Sequence, residues 1–81
     1  MTVYVIEDLE FFRECARTAR LKLWRERQTD KGVEIRMRAG SIGFRKEYEK
    51  DDPELKKVKE FINLEGFVQI VDVESDDTFF A

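Results

Sequence analysis

The sequence predicts an α+β fold, namely a single-domain ferredoxin-like βαββαβ sandwich in which two helices cover one face of a four-stranded antiparallel sheet. Two apolar stripes at three- and four-residue spacing predict the helices, and two runs of alternating apolar and polar residues around a glycine-containing turn predict a β-hairpin. A chain of 81 residues is the size of one domain. We place this domain at residues 1–74 and an acidic-aromatic C-terminal tail at residues 75–81.

The N-terminal part predicts one strand followed by one long helix. Residues 3–6 are β-branched or aromatic and predict a short strand. Asp8 then offers a helix cap, and the apolar residues that follow recur at helical spacing: Leu9, Phe12, Ala16, Ala19 and Leu23. We therefore predict an amphipathic helix that continues to about Arg27. A helix that starts already at residue 2 is an alternative, because the apolar residues of the first strand extend the same stripe.

The hairpin is predicted at residues 33–37 and 42–48, where apolar and polar residues alternate on either side of a turn at residues 39–41. In the predicted sandwich, one set of its side chains points at the helices: Val33, Ile35, Met37, Ile42 and Phe44. The other set points away from them: Arg36, Arg38 and Arg45.

The C-terminal part predicts a second helix and a last strand. Acidic residues and a proline at residues 51–54 favour a helix N-terminus, and the helix is expected to end near residues 63–66. A nearly continuous apolar run at residues 67–73 predicts the last strand, and the acidic tail follows it.

The composition argues against catalysis. The chain has no histidine, so the commonest acid–base group and metal ligand is missing. Its one cysteine, Cys15, falls on the apolar stripe of the first helix, where a buried thiol is inert. Helix capping explains the densest acidic cluster, residues 51–54, and the sequence has no glycine-rich phosphate-binding loop. We therefore expect no enzymatic activity, no cofactor and no bound metal.

The sequence also bears on the cellular location. A single cysteine cannot form an internal disulfide, which favours a reducing compartment. Residues 1–7 lack the basic and apolar regions of a secretory signal. The apolar runs are far shorter than the ~20 residues that a membrane-spanning helix requires. We therefore expect a cytoplasmic protein without membrane contact.

Charge is divided unevenly along the chain. Residues 9–46 contain eleven Lys and Arg against five Asp and Glu, a net of +6, whereas residues 47–81 contain four Lys against eleven acids, a net of −7. Such asymmetry in a short chain indicates a binding partner. Our leading hypothesis is a small non-enzymatic regulatory module that acts by protein–protein contact, of the kind common among phage or mobile-element inhibitors of host machinery. Its partner is another protein or a second copy of the chain.

The predicted contact surface is the sheet face away from the helices. The outer strands are expected to add apolar side chains to the hairpin arginines there, with Ile6 and Gln69 beside them, and exposed apolar patches indicate contact with another chain. The acidic tail adds two aromatic residues, which dock either on a partner or on the sheet of the same chain. The expected partner-binding residues are Tyr4, Arg36, Arg38, Arg45, Phe67, Val71, Phe79 and Phe80.

The alternative hypothesis is a domain that binds single-stranded RNA or DNA. Residues 3–9 resemble the first-strand motif of the RNA-recognition-motif family, with Tyr4 at the base-stacking position, and the resemblance implies RNA binding on the open sheet face. Residues 40–47 keep the Gly-Phe pair of that family's third-strand motif but lack the aromatic residue that stacking requires, so we assign no family.

The first helix offers a second nucleic-acid site, because arginines follow helical spacing there around an aromatic residue: Arg13, Arg17, Arg20, Trp24 and Arg27. Glu10 and Glu14 equally predict ordinary intrahelical ion pairs for the first two of these arginines. The net charge of −3 is the reverse of the usual nucleic-acid-binding footprint. A third hypothesis is a small-ligand sensor that uses the sheet face in a dimer.

Overall fold

The computed structural model describes residues 3–70 of the chain, and the predicted tail at residues 75–81 lies outside them. In chain order the elements are β1 (Tyr4–Ile6), α1 (Leu9–Ala16), β2 (Lys22–Gln28), β3 (Gly32–Ala39), β4 (Ile42–Glu49), α2 (Pro53–Glu65) and β5 (Val68–Gln69). The described part is a small α+β unit with two helices and a five-stranded mixed sheet. Within residues 3–70, neither helix is long and apolar enough to cross a membrane.

The sheet is built around a three-stranded antiparallel meander with one short strand added at each edge. The strand order is β1-β4-β3-β2-β5. β2 pairs antiparallel with β3, and β3 with β4, whereas β1 runs parallel to β4 and β5 runs parallel to β2. The predicted hairpin is confirmed as β3 and β4. The predicted four-stranded antiparallel ferredoxin-like sheet does not match, because a further strand, β2, lies between β3 and β5.

The long first helix of the sequence prediction is wrong. The residues expected to continue the helix, Lys22–Gln28, form β2 instead. All seven residues of β2 pair with residues 33–39 of β3. The residue types of β2 favour a helix locally. The helix propensities of ordinary residue types differ by less than about 1 kcal/mol per residue, however, and pairing along a whole strand outweighs this preference.

The start of α1 is as predicted, although its end is not. The Asp8 carboxylate accepts a hydrogen bond from the Phe11 N–H at 3.1 Å and so caps the helix. Residues 4–6, which precede this cap with Glu7 between, pair as a strand with β4, so the alternative helix start at residue 2 is wrong. α1 ends at Ala16, and Arg17 follows it as the C-terminal cap.

Both helices pack on the same face of the sheet, and the core lies between the helices and that face. Phe12 of α1 is fully buried, and its ring centroid lies 5.6 Å from that of Phe44, 6.3 Å from that of Phe61 and 6.2 Å from that of Phe67. These rings join α1, β4, α2 and the residue before β5. The predicted inward-facing set of the hairpin is confirmed, since its members are buried or packed against the core: Val33, Ile35, Met37, Ile42 and Phe44.

Local capping sets both ends of α2 as the sequence predicts. The Asp52 carboxylate accepts a hydrogen bond from the Glu54 N–H at 2.9 Å, and Pro53 is the first helical residue. Gly66 ends the helix in the left-handed conformation, with φ of 72°. Glycine adopts this conformation at little cost, which explains the sharp stop.

Ion pairs fasten β2 to α2. On the helix side of the sheet, Lys22 Nζ lies 3.2 Å from Glu65 Oε1, and Glu26 Oε1 lies 2.7 Å from Lys59 Nζ. Trp24, between these two β2 residues, packs against the core. The helix-facing side of β2 is therefore mostly charged, so an apolar alternation that would predict a strand is missing.

Candidate binding face of the sheet

One face of the sheet is covered by neither helix and is called the open face below. Directly opposite residues of paired strands point to the same side of a sheet, so the strand registers assign each side chain to a face. β2 contributes Leu23, Arg25 and Arg27 to the open face, because the residues between them lie opposite core residues of β3. β3 and β4 contribute the hairpin arginines.

Three arginines lie side by side across the middle of the open face. Arg25 is opposite Arg36, and Arg36 is opposite Arg45, so β2, β3 and β4 each supply one member of this arginine row. Directly opposite Cα atoms are about 5 Å apart, which makes the row about 10 Å long. Like charges that face each other across strands are destabilising, so the row is costly unless anions neutralise it.

Two members of the arginine row are buried on the side where no helix lies. Arg25 and Arg36 expose only 6% and 4% of their surface, whereas Arg45 is exposed. Arg36 Nε donates a hydrogen bond to Glu34 Oε1 at 2.8 Å, and an Arg27 guanidinium nitrogen lies 3.6 Å from the same oxygen. Guanidinium groups that lose water require oxygen partners, and carboxylates suit them best. Glu34 is such a carboxylate partner for Arg36, and it lies close to Arg27 as well.

Two further rows flank the arginine row. The row on one side crosses all five strands: Val5, Gly43, Arg38, Leu23 and Val68. It is apolar apart from Arg38, whose Nε donates to the Gly40 carbonyl oxygen at 2.9 Å. The row on the other side is shorter: Arg27, Glu34 and Glu47. Positive charge is thus bordered by aliphatic surface on one side and by carboxylates on the other.

The sequence placed part of this face correctly. Arg36, Arg38 and Arg45 lie on the open face as predicted. Arg25 was missed, because its segment was predicted to be helical and no local apolar alternation marks it as a strand. Arg27, predicted on a helix, also lies on the open face.

The side chains of the first strand point to the opposite faces of the sheet from those predicted. Tyr4 lies opposite Ile42, and Ile6 lies opposite Phe44, so both are on the helix side. Ile6 packs against the core, while Tyr4 stays exposed at the sheet edge. The expectation that Tyr4 lies on the open face is therefore wrong. Val5 takes the open-face position instead.

The last strand was also assigned to the wrong face. Phe67 is buried in the core, with its ring centroid 5.5 Å from that of Phe61, and Gln69 lies opposite the core-packed Trp24. Val68 is the open-face residue of β5. The three remaining predicted contact residues lie outside the described part of the chain: Val71, Phe79 and Phe80.

The alternative basic surface on the first helix does not form. Arg13 and Arg17 are on α1, where each pairs with a glutamate three residues earlier, at 3.3 Å and 3.4 Å. Arg20 lies between α1 and β2, and Trp24 and Arg27 lie on β2, pointing to opposite faces of the sheet. The predicted set is therefore divided among three places, because the helix that would have aligned it ends at residue 16.

The largest surface depression among those described lies away from the arginine row. It measures about 590 Å³ and lies at the start of α2, and the residues that line it include Asp51, Asp52, Lys56 and Lys59. The Asp52 carboxylate there already caps the helix.

Within residues 3–70, no three acidic or cysteine side chains are grouped closely enough to hold a metal ion. Cys15 is half-buried.

The most perturbed ionisable groups of the described chain join β4 to α2. Glu54 Oε2 accepts hydrogen bonds from Lys46 Nζ at 2.8 Å and from Tyr48 Oη at 2.6 Å. These bonds lower the pKa of the Glu54 carboxyl, and the bond to Glu54 raises the pKa of Lys46. Burial, with the same carboxylate beside it, raises the pKa of the Tyr48 hydroxyl. Lys46 interrupts the apolar side of β4 because it serves this ion pair.

The Glu54→Gln variant is expected to be about 1–2 kcal/mol less stable near pH 7, because charged hydrogen bonds are stronger than neutral ones. Since folding lowers the pKa of Glu54, its stabilising contribution is present above the ordinary value of 4.5 and is lost as the pH falls through the folded value. The stability difference between wild type and variant is therefore expected to shrink at acidic pH. Urea denaturation at neutral and acidic pH measures it.

Glu60→Gln makes the same chemical change at an exposed position of α2 and serves as the control. It is expected to leave the free energy of unfolding within about 0.5 kcal/mol of wild type. A Glu54→Gln deficit that is equally large at both pH values would contradict the assigned role of the carboxylate.

Comparisons with protein-family models, with curated proteins and with solved structures found no match for this chain. A functional proposal therefore depends on the geometry and charge of the open face.

Proposed function

We propose that this protein is a non-enzymatic binding module that docks an acidic segment of a protein partner on the open face. The arginine row is the observation that carries the proposal. Arg25, Arg36 and Arg45 lie directly opposite one another on three adjacent strands, and Arg45 is exposed. A ligand that brings carboxylates to the row is attracted by the positive charge of three adjacent arginines, and Arg45 is the exposed member that it can reach.

Acidic peptide segments match both the charge and the surroundings of the row. Arginine binds carboxylates through paired hydrogen bonds, which fixes the orientation of the ligand. The flanking apolar row offers exposed aliphatic surface, with Val5 at 41% and Val68 at 59% exposure. A segment that carries acids and aliphatic side chains contacts both rows at once. By covering such a segment, the module would regulate the partner without chemistry of its own.

Single-stranded nucleic acid matches the open face less well. Nucleic-acid-binding sheets stack bases on aromatic side chains. Among residues 3–70, the strand positions on the open face carry arginine, glutamate, glycine and aliphatic residues, and Tyr4 and Trp24 lie on the helix side. Glu34 and Glu47 beside the arginine row also repel phosphates. These observations favour a protein partner.

Fluorescence anisotropy with a short labelled peptide of alternating glutamate and valine tests the proposal. The full chain is used with four substitutions, Asp72→Asn, Glu74→Gln, Asp76→Asn and Asp77→Asn, so that its own acids do not compete with the probe. In this background, Arg45→Glu is expected to weaken peptide binding about 10- to 100-fold, because it removes one charged contact and adds a repulsive one.

Arg17→Glu is the matched control, since it reverses the same charge at an exposed position on α1. Equal weakening by both variants would mean that only net charge matters and would contradict a site on the open face. Labelled oligouridylate is the second probe. Tighter binding of oligouridylate than of the peptide, lost in Arg45→Glu and falling steeply with salt, would replace the proposal with nucleic-acid binding.

A further inference from the structure

We infer that a cleft at one edge of the sheet binds a small, neutral heteroaromatic ligand that carries an amino group beside a ring nitrogen, as adenine does. This cleft, called the Trp24 cleft below, lies between the β2–β5 edge of the sheet and the C-terminal half of α2. It is on the helix side of the sheet, whereas the arginine row is on the open face. The inference is therefore independent of the proposed function and adds a second binding site.

The size and lining of the Trp24 cleft suit a small flat molecule. The cleft measures about 400 Å³, within the ~300–1,000 Å³ of typical small-molecule sites. Trp24, Ile62 and Phe67 give it an apolar lining. Ile62 and Phe67 are buried in the core, but Trp24 is only partly buried, so part of the indole ring is open to a ligand. Aromatic rings pair favourably by stacking, which favours a flat aromatic ligand.

The larger depression at the start of α2 suits such a ligand less well. Most of the described residues that line it are charged, and none of them is aromatic. The Trp24 cleft is the smaller of the two, but it offers an indole ring for stacking.

Two side-chain amides supply hydrogen bonds to a ligand in the Trp24 cleft. Asn63 on α2 and Gln69 on β5 line the cleft and are exposed. Gln69 lies directly opposite Trp24 on the neighbouring strand, so the two side chains leave the sheet on the same side. A carboxamide presents an N–H donor next to an oxygen acceptor, and this pair matches the ring nitrogen and the amino group of adenine. Neither amide is hydrogen-bonded within residues 3–70, so both are available to a ligand.

The charges around the Trp24 cleft favour a neutral ligand. Lys59 is the one charged residue among the described residues that line it, and its Nζ lies 2.7 Å from Glu26 Oε1. Lys22, two residues before Trp24, is paired in the same way with Glu65 at 3.2 Å. Both ammonium groups are thus neutralised by carboxylates of the same chain. A phosphate group would gain little there, so a nucleoside or a free base fits better than a nucleotide.

The fluorescence of Trp24 tests the inference directly, because it is the only tryptophan of the chain. Titration with adenosine is expected to change this fluorescence in a saturable way at submillimolar concentrations. Purine riboside has the same rings and sugar but lacks the amino group, and it is expected to bind about 3- to 10-fold more weakly because one hydrogen bond is lost. AMP adds a phosphate and is expected to bind no more tightly than adenosine. Isothermal titration calorimetry gives the three affinities.

Gln69→Leu removes one amide from the Trp24 cleft and is expected to weaken adenosine binding about 3- to 10-fold. Gln28→Leu is the matched control, since it makes the same change at an exposed position of β2 that does not line the cleft. It is expected to bind adenosine as the wild type does. Urea denaturation checks that the variants fold. If Gln69→Leu is unfolded, Asn63→Leu on α2 takes its place, with the same expected loss of affinity.

The possible results decide the inference without reference to the peptide assay. The absence of a saturable response to adenosine would overturn it, as would equal effects of Gln69→Leu and Gln28→Leu. Much tighter binding of AMP than of adenosine would show that the phosphate is recognised, and it would contradict a neutral ligand. The open face takes no part in these measurements, so the inference and the proposed function can fail separately.

Discussion

Replacing Phe12 with alanine is expected to lower the free energy of unfolding by about 3–5 kcal/mol. Phe12 is fully buried, and its ring contacts Phe44, Phe61 and Phe67, which come from three separate parts of the chain. Truncation removes the apolar contacts of the ring and leaves a cavity that neighbouring residues on a rigid sheet cannot fill. Urea denaturation followed by circular dichroism measures the loss.

Phe11→Ala provides the matched control, because it makes the same substitution one position earlier in α1. Phe11 is 53% exposed and lies outside the buried core. Its replacement is expected to change stability by much less, about 0.5 kcal/mol or below. Similar losses in the two variants would contradict the orientation of α1. A Phe12→Ala chain that is unfolded before any urea is added would agree with the prediction, since a domain this small has little stability to lose.

The hairpin and α2 were predictable because their signals are local. Residues 33–37 alternate strictly between apolar and charged side chains, which only a half-buried strand explains well. Asp52 and Pro53 cap α2 through contacts with their immediate neighbours. Nothing distant in the chain is required to read either element.

β2 and the arginine row were not predictable in the same way. Lys, Arg, Glu and Gln at residues 22–28 favour helices locally, and both faces of β2 carry charge. Arg25 becomes part of a site only because pairing with β3 sets it opposite Arg36. The row is a property of strand register, which the composition of one segment does not contain.

The two edge strands show a related limit. β1 has three residues and β5 has two, so neither is long enough to show which alternate residues face the core. Phe67 and Val68 are both apolar, so the sequence alone does not show which of the two is buried. Packing of Phe67 against Phe12 and Phe61 decides between them. Three of the open-face arginines were therefore placed correctly, whereas the predicted aromatic residues Tyr4 and Phe67 lie on the helix side.

The turn that sets the register of the arginine row depends on Gly32, and Gly32→Ala is expected to destabilise the fold by about 3 kcal/mol. Thr29 and Gly32 close the turn between β2 and β3 through N–H to carbonyl hydrogen bonds of 3.0 Å and 3.2 Å. A Cβ at Gly32 would collide with the carbonyl oxygen of Tyr48 and lie 3.0 Å from the backbone nitrogen of Lys50. These are backbone atoms, so they cannot move without disturbing the pairing of β3 with β4.

Gly66→Ala separates this collision from simple backbone strain. Gly66 has φ of 72°, but a Cβ there would meet nothing within 4 Å, so only the cost of about 1 kcal/mol for a left-handed alanine is expected. If the two variants lose equal stability, the close approach of β4 to Gly32 is wrong. Because the turn also sets Arg25 opposite Arg36, Gly32→Ala should weaken peptide binding in the chain that carries the four substitutions at residues 72–77, whereas Gly66→Ala should not. A folded Gly32→Ala protein that binds the peptide unchanged would show that the site does not require the register of β2 on β3.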